Sequence, residues 1–198
     1  MNSQTKVTGV ILAGGLARRM NNQDKGLMSF NGRPLVSYAI AAMAAVTDQL
    51  IINANRNIGH YQQFGWPVVA DQTNSFDGPL AGVLTAMLHA ENGILLVAPC
   101  DSPLIKSDHL QKLLSVRAEK DADVAVAFDG ERLHPVFLAV KTVLKTDLQG
   151  YLDSGQRKLE SWLQLQKMVK ADFSDDLQLF INLNTMVQLA ELEGNQKN

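Results

Sequence analysis

The chain has 198 residues, 46% hydrophobic and 19% charged, with 18 basic against 20 acidic side chains and a formal net charge of −2. That length fits one domain able to bury roughly 70% of its unfolded surface without a disulfide or metal staple, and the charge does not fit a general nucleic-acid binder. The single Cys100 excludes an intramolecular disulfide and a cysteine-rich zinc site. No run reaches the ~20 apolar residues of a membrane helix and the start lacks a signal-peptide core, so a cytoplasmic globule without membrane or nucleic-acid partners is expected.

Val7–Ala13 is a β-branched run stopped by Gly14-Gly15 and reads as a buried strand. Pro34–Val46, with Pro at a first-turn position and many Ala, Met and Leu, reads as a helix. Gln49–Ala54 and Pro67–Ala70 read as strands, with a short helix around Ile58–Phe64 between them. Pro79–Glu91 is a second Pro-started helix, and Gly93–Pro99 the fourth strand. Ser107–Lys120 is an amphipathic helix. Val124–Phe128 and Val136–Val140 are short strands around the Asp129-Gly130 turn. After Thr142 the pattern is helical, then strand-like at Met168–Phe173 and Leu179–Leu183, with a last helix over Thr185–Leu192. This alternation predicts an α/β domain over residues 1–198, with frayed tails at about 1–6 and 194–198. The sheet is mainly parallel, with one antiparallel element and helices on both faces.

Ligands of open α/β sheets bind beyond the carboxyl ends of the strands. That rule selects the loop after Ala13, Asn53 and Asn55, Asp71, and Cys100-Asp101. The loop Gly14–Arg33 starts with two glycines and carries Arg18, Arg19, Lys25 and Arg33 against one acid, Asp24. Glycine amides that approach an anion, with cations to neutralise it, suit a polyphosphate. The bland alternative is a solvated surface loop, and the position after a buried first strand favours the phosphate site. There is no Gly-Lys-Ser/Thr and no G-x-G-x-x-G, which demotes ATPases and dehydrogenases. Asp101 suits a Mg²⁺ ligand, since Mg²⁺ takes one or two carboxylates plus substrate phosphates. It equally suits a turn aspartate beside Ser102 and Pro103. Cys100 reads as a small buried residue, and His89 and His109 as surface positions on helices.

The run Leu12-Ala13-Gly14-Gly15-Leu16-Ala17-Arg18-Arg19-Met20, followed by Asp24-Lys25-Gly26-Leu27, resembles the signature loop of nucleotidyltransferases. Asn53-Ala54-Asn55-Arg56, the Asp71 loop, Gly78-Pro79-Leu80-Ala81-Gly82, Pro99-Cys100-Asp101-Ser102-Pro103, Gly130-Glu131-Arg132-Leu133-His134-Pro135 and Asn182-Leu183-Asn184-Thr185 follow in order. Together they narrow the resemblance to the molybdenum cofactor guanylyltransferases, the MobA family. The resemblance implies a single-domain Rossmann-like nucleotidyltransferase fold and transfer of GMP from GTP to molybdenum-bound molybdopterin. Gly14, Gly15 and Lys25 would hold the phosphates, Leu12 and Ala13 would line the nucleotide, and Asn53 and Asp71 would contact the nucleoside. Arg19, Lys25 and Asp101 would be catalytic, with Mg²⁺ on Asp101. His134, Arg157, Asn182 and Asn184 match positions tied to the pterin side or catalysis.

Transient contacts with molybdenum-insertion proteins and molybdoenzyme chaperones are also implied. Two departures stand out: Asn21-Asn22 where the family has Gly after Arg-Met, and Gln156-Arg157-Lys158 in place of a mixed acidic-basic pattern. The rivals are a cytidylyltransferase acting on molybdopterin or on a sugar or isoprenoid phosphate, and a non-catalytic nucleotide-binding module.

Overall fold

The structure, a computed structural model, describes residues 6–14, 24–72, 78–183 and 188. The apolar run Val7–Leu12 is strand β1, an interior strand and third in order across a seven-stranded sheet. β4 (Gln49–Asn53) and β6 (Ile94–Pro99) flank it in parallel. β5 (Val68–Val69) extends the β4 side. On the β6 side follow β8 (Leu133–Lys141), β7 (Val124–Phe128) and β9 (Met168–Asp172). β8 is the antiparallel member; β7 and β9 pair in parallel. The expected mixed, mainly parallel sheet is therefore present.

Strand side chains alternate between two cores. Ile11, Leu50, Ile52, Leu96 and Ala98 pack against α1 (Leu35–Ala44) and α4 (Ser107–Glu119). Val10, Ile51, Leu95 and Val97 pack on the opposite face, with α3 (Pro79–His89), α5 (Lys145–Asp153) and α6 (Leu159–Leu163). α2 (Ile58–Gln62) joins β4 to β5 and sends fully buried Tyr61 into the first core. Trp162, also fully buried, is paid no polar penalty because its indole N–H donates to Asp147 Oδ1 at 2.8 Å.

Four expectations need correction. Pro34 does not open α1; it lies in β3 (Arg33–Pro34), which pairs with β2 (Ser29–Phe30) in a small hairpin. The turn is Asn31-Gly32, both at positive φ (47° and 76°), the backbone that a two-residue type I′ turn requires. Leu179–Leu183 is not a strand: Leu177–Phe180 forms a 3-10 turn that buries Leu179, and Leu183 is buried in a separate cluster. Val136–Val140 is the inner part of the longer β8, whose register against β7 jumps from Val126↔Leu138 to Ala127↔His134. His109 is buried, not a surface residue: its Nδ1 accepts the Lys106 backbone N–H at 3.1 Å and its Nε2 faces Asp176 Oδ2 at 2.9 Å. The expected last helix and the 194–198 tail lie outside the described residues.

Candidate active site

The chain leaves β1, turns to one side through β4 and β5, and returns to β6 on the other side. The carboxyl ends of these strands therefore open a crevice at a topological switch point. Two hydrogen bonds extend the sheet into its floor: Ala13 N–H donates to the Asn53 carbonyl at 2.8 Å, and Cys100 N–H to the Leu12 carbonyl at 3.1 Å. Glycines keep this floor open. A Cβ on Gly82 of α3 would overlap Asn53 Oδ1, and one on Gly14 would lie 3.0 Å from Asn55 Nδ2. Asn53 is 2% exposed; its Nδ2 donates to Asp71 Oδ1 at 2.8 Å and to the Val69 carbonyl at 3.3 Å. Asn55 grips the same aspartate, donating to Oδ2 at 2.7 Å and accepting the Asp71 backbone N–H at 2.8 Å.

Opposite this pair, the 3-10 turn Lys25–Leu27 presents Lys25, whose Nζ lies 3.4 Å from Asp101 Oδ2. These residues are 76 positions apart, joined because β1 and β6 are neighbours. Their side chains are 25% and 15% exposed, so the pair is shielded yet reachable from the crevice. Behind it, Asp24 accepts from the Tyr61 hydroxyl at 2.5 Å and from Asn57 Nδ2 at 3.0 Å. Cys100 is buried, and desolvation, with the neighbouring Asp101 charge second, pushes its thiol up. It is the small buried residue expected.

A second wall stands beside Asp101. The β8 register jump displaces Pro135–Phe137 from the ladder next to the end of β6. His134 stacks on Phe180 with ring centroids 3.6 Å apart, and its Nε2 lies 2.6 Å from Asp129 Oδ2. The Arg132 backbone N–H first, then His134 and the Glu131 N–H, hold the Asp129 carboxyl well below the usual range. Two residues past Phe180, Asn182 Oδ1 accepts the Ser102 hydroxyl at 2.6 Å. Leu183 N–H then donates to the Asp101 carbonyl at 3.2 Å.

The structure therefore groups Leu12, Ala13, Gly14, Asn53 and Asp71 on one side and Lys25 with Asp101 on the other, and brings His134 and Asn182 to one wall. Arg157 belongs to the turn after α5, where its Nη1 donates to the Leu152 and Gln156 carbonyls, each at 2.7 Å. Gly15, Arg19, Asn184 and the Asn21-Asn22 departure lie outside the described residues. The strand-end rule picked out Asn55 beside Asn53 without giving it a role, and sequence reasoning passed over Gly82, Tyr61 and Phe180. Gly82 sits inside a motif already singled out, whereas Tyr61 and Phe180 carry only an apolar signal.

Mg²⁺ fits the donors present. Asp101 offers one carboxylate at the crevice, and no group of three or more acidic, His or Cys side chains forms a complete cage among the described residues. A hard cation that takes most of its oxygens from phosphates and water needs no more. Among the described residues no helix is long and apolar enough to cross a membrane.

A family model described as a MobA-like NTP transferase domain matches residues 9–171. A molybdenum cofactor guanylyltransferase of Shewanella loihica is 43% identical over 187 residues, 94% of this chain and 95% of that protein. That of Shewanella halifaxensis is 42% identical over 196 residues, 98% of each. Among solved structures, molybdopterin-guanine dinucleotide biosynthesis protein A from Archaeoglobus fulgidus superposes with a TM-score of 0.79 at 20% identity, covering 96% of this chain and 98% of that one. At that identity the likeness speaks for the fold.

Proposed function

The chain belongs to the MobA-like NTP transferase domain family, and from that membership we propose that it is a molybdenum cofactor guanylyltransferase. It transfers GMP from GTP to the terminal phosphate of molybdenum-bound molybdopterin and releases pyrophosphate. The observation that carries this reading at the level of chemistry is the Lys25–Asp101 pair, set in one crevice with the Asn53–Asp71 pair. A cation and a carboxylate at one end suit a metal-triphosphate; an amide and a carboxylate at the other suit a base with both donors and acceptors.

The acceptor phosphate attacks the α-phosphorus of GTP, a new P–O bond forms, and the bond to the β-phosphate oxygen breaks with its electron pair leaving on pyrophosphate. A phosphate monoester has a second pKa of about 6, so the nucleophile is already largely ionised near neutral pH and no general base is required. The protein supplies alignment and charge neutralisation. Lys25 and Arg19 neutralise phosphate charge, the Gly14 and Gly15 amides approach it, and Leu12 and Ala13 line the nucleotide. Asn53 and Asp71 hold the nucleoside. Asp101 would hold Mg²⁺ against the phosphates, which supplies further neutralisation of the leaving group. His134, Asn182, Asn184 and Arg157 are assigned to the acceptor side. The assignment extends to one domain over residues 1–198, a cytoplasmic location, and transient contact with molybdenum-insertion proteins and molybdoenzyme chaperones.

The test is a comparison of melting temperatures with Mg²⁺ and GTP, CTP, ATP or UTP at equal concentrations. Ligand at ~100 times its dissociation constant stabilises by ~2.7 kcal/mol. A Mg²⁺-dependent rise with GTP alone, followed by pyrophosphate release when molybdopterin is added, is expected. A rise with CTP alone would replace the guanylyl assignment by a cytidylyl one.

A further inference from the structure

Asp24 directly precedes Lys25. A carboxylate so closely tethered to an ammonium group would compete with Asp101 and with phosphate for its charge, because opposite charges a few ångströms apart attract strongly near a protein surface. The structure points Asp24 elsewhere. Its Oδ1 accepts a hydrogen bond from the Tyr61 hydroxyl at 2.5 Å and its Oδ2 one from Asn57 Nδ2 at 3.0 Å, so both oxygens are engaged by α2 and its leading residue. Lys25 Nζ instead lies 3.4 Å from Asp101.

Both partners are firmly placed. Tyr61 is fully buried, with its ring tilted against Phe64 at 6.4 Å. Burial first, then Cys100 and the hydrogen-bonded Asp24, raise its hydroxyl far above the ordinary value of 10.0 against the opposing pull of Arg56, so it stays a donor. Asn57 adopts the left-handed backbone (φ 51°) that Asn tolerates better than most residues, which turns its side chain back at Asp24. The contact also accounts for Gly26: a Cβ there would overlap the Tyr61 hydroxyl and lie 3.3 Å from Cys100 Sγ.

We propose that Tyr61 and Asn57 are positioning residues that hold the Asp24 carboxylate away from Lys25, so that the lysine charge remains directed into the crevice. The proposal rests on the phosphate-binding role given above to Lys25. It predicts an unusual pattern in which deleting a charge repairs the loss of a hydroxyl.

The full-length chain is titrated with inorganic pyrophosphate, and pyrophosphate release from GTP is measured alongside, for the wild type, Tyr61→Phe, Asp24→Asn and the double variant. Tyr61→Phe should weaken pyrophosphate binding ~10-fold, and the double variant should bind distinctly more tightly than Tyr61→Phe alone. Asn57→Gly, which keeps the positive φ and removes only the amide, should show a smaller loss repaired in the same way. Melting temperatures identify any variant that does not fold, and Asn57→Gly then carries the comparison. Unchanged binding in Tyr61→Phe, or a double variant no better than Tyr61→Phe, overturns the proposal. A wild type that does not bind pyrophosphate removes the Lys25 role and the proposal with it. A wild type that binds pyrophosphate but releases none from GTP and acceptor sinks the guanylyltransferase reading, while the binding arm still decides the positioning.

Discussion

The Asn55 side chain holds Asp71 by both its carboxylate and its backbone: Asn55 Nδ2 donates to Asp71 Oδ2 at 2.7 Å while Asn55 Oδ1 accepts the Asp71 backbone N–H at 2.8 Å. With Asn53 on the other carboxylate oxygen, Asp71 is oriented before any ligand arrives. Such preorganisation lowers the ordering cost of binding. The two asparagines come from the end of β4 and the aspartate from just beyond β5, so the register of the edge strand β5 on β4 sets the shape of the nucleoside end.

Asn55→Asp replaces the amide donor by a second carboxylate against Asp71, and like charges at hydrogen-bond distance repel. GTP affinity should fall ~10-fold or more, whereas pyrophosphate, which reaches only the Lys25 end, should bind as before. Calorimetric titration of both ligands reads the contrast; equal losses would mean that Asn55 supports the whole crevice.

Gly82→Ala places a methyl group into Asn53 Oδ1 and close to Leu12. Overpacking of this kind costs about 1–3 kcal/mol of stability and displaces Asn53 from Asp71. Chemical denaturation and GTP titration on the same sample should both show the loss. Wild-type GTP affinity in this variant would disconnect Asn53 from the nucleotide.

Asp101→Ala removes the carboxylate that lies 3.4 Å from Lys25 Nζ and would serve the metal. Turnover should fall by ~100-fold or more, the scale of losing an electrostatic group that acts on developing charge. Acceptor affinity should change far less. Pyrophosphate release against acceptor titration separates the two, and equal loss of both would contradict the role assigned to Asp101.

Alkaline pH should loosen the protein through Cys100 and Tyr61. Burial raises both groups above their ordinary values of 9.0 and 10.0, so folded protein keeps protons that unfolded chain releases. The unfolded state then binds fewer protons than the native one, and stability is complete below about pH 9 and falls as pH rises beyond it. The slope approaches about 1.4 kcal/mol per pH unit for each group. Denaturation midpoints from pH 8 to 11 should show the decline, and Cys100→Ala should make it shallower.

Much of this was legible from the chain. The glycine stop after Val7–Leu12 and the apolar run Ile94–Pro99 located both ends of the Lys25–Asp101 pair, because strand ends in such sheets face a common crevice. Asn31-Gly32 is a hairpin signal before α1, set in a loop whose charges are the louder feature. Tyr61 and Phe180 could not be distinguished from core residues, since an aromatic ring carries the same apolar signal whether or not its edge or hydroxyl serves a neighbour. A helix position alone does not reveal that the His109 ring accepts the Lys106 backbone N–H and meets Asp176, 67 residues later. Leu179 and Leu183 share the spacing of a strand face, yet each is drawn into a different cluster.

The hydrogen bonds from Leu183 to the Asp101 carbonyl and from Ser102 to Asn182 tie the two ends of the crevice to different parts of the chain. The Asn53–Asp71 end is held by neighbours within 18 residues of one another. The Asp101 loop is held by a segment some eighty residues later in the chain. Detaching that segment would loosen the metal end of the crevice and leave the nucleoside end intact.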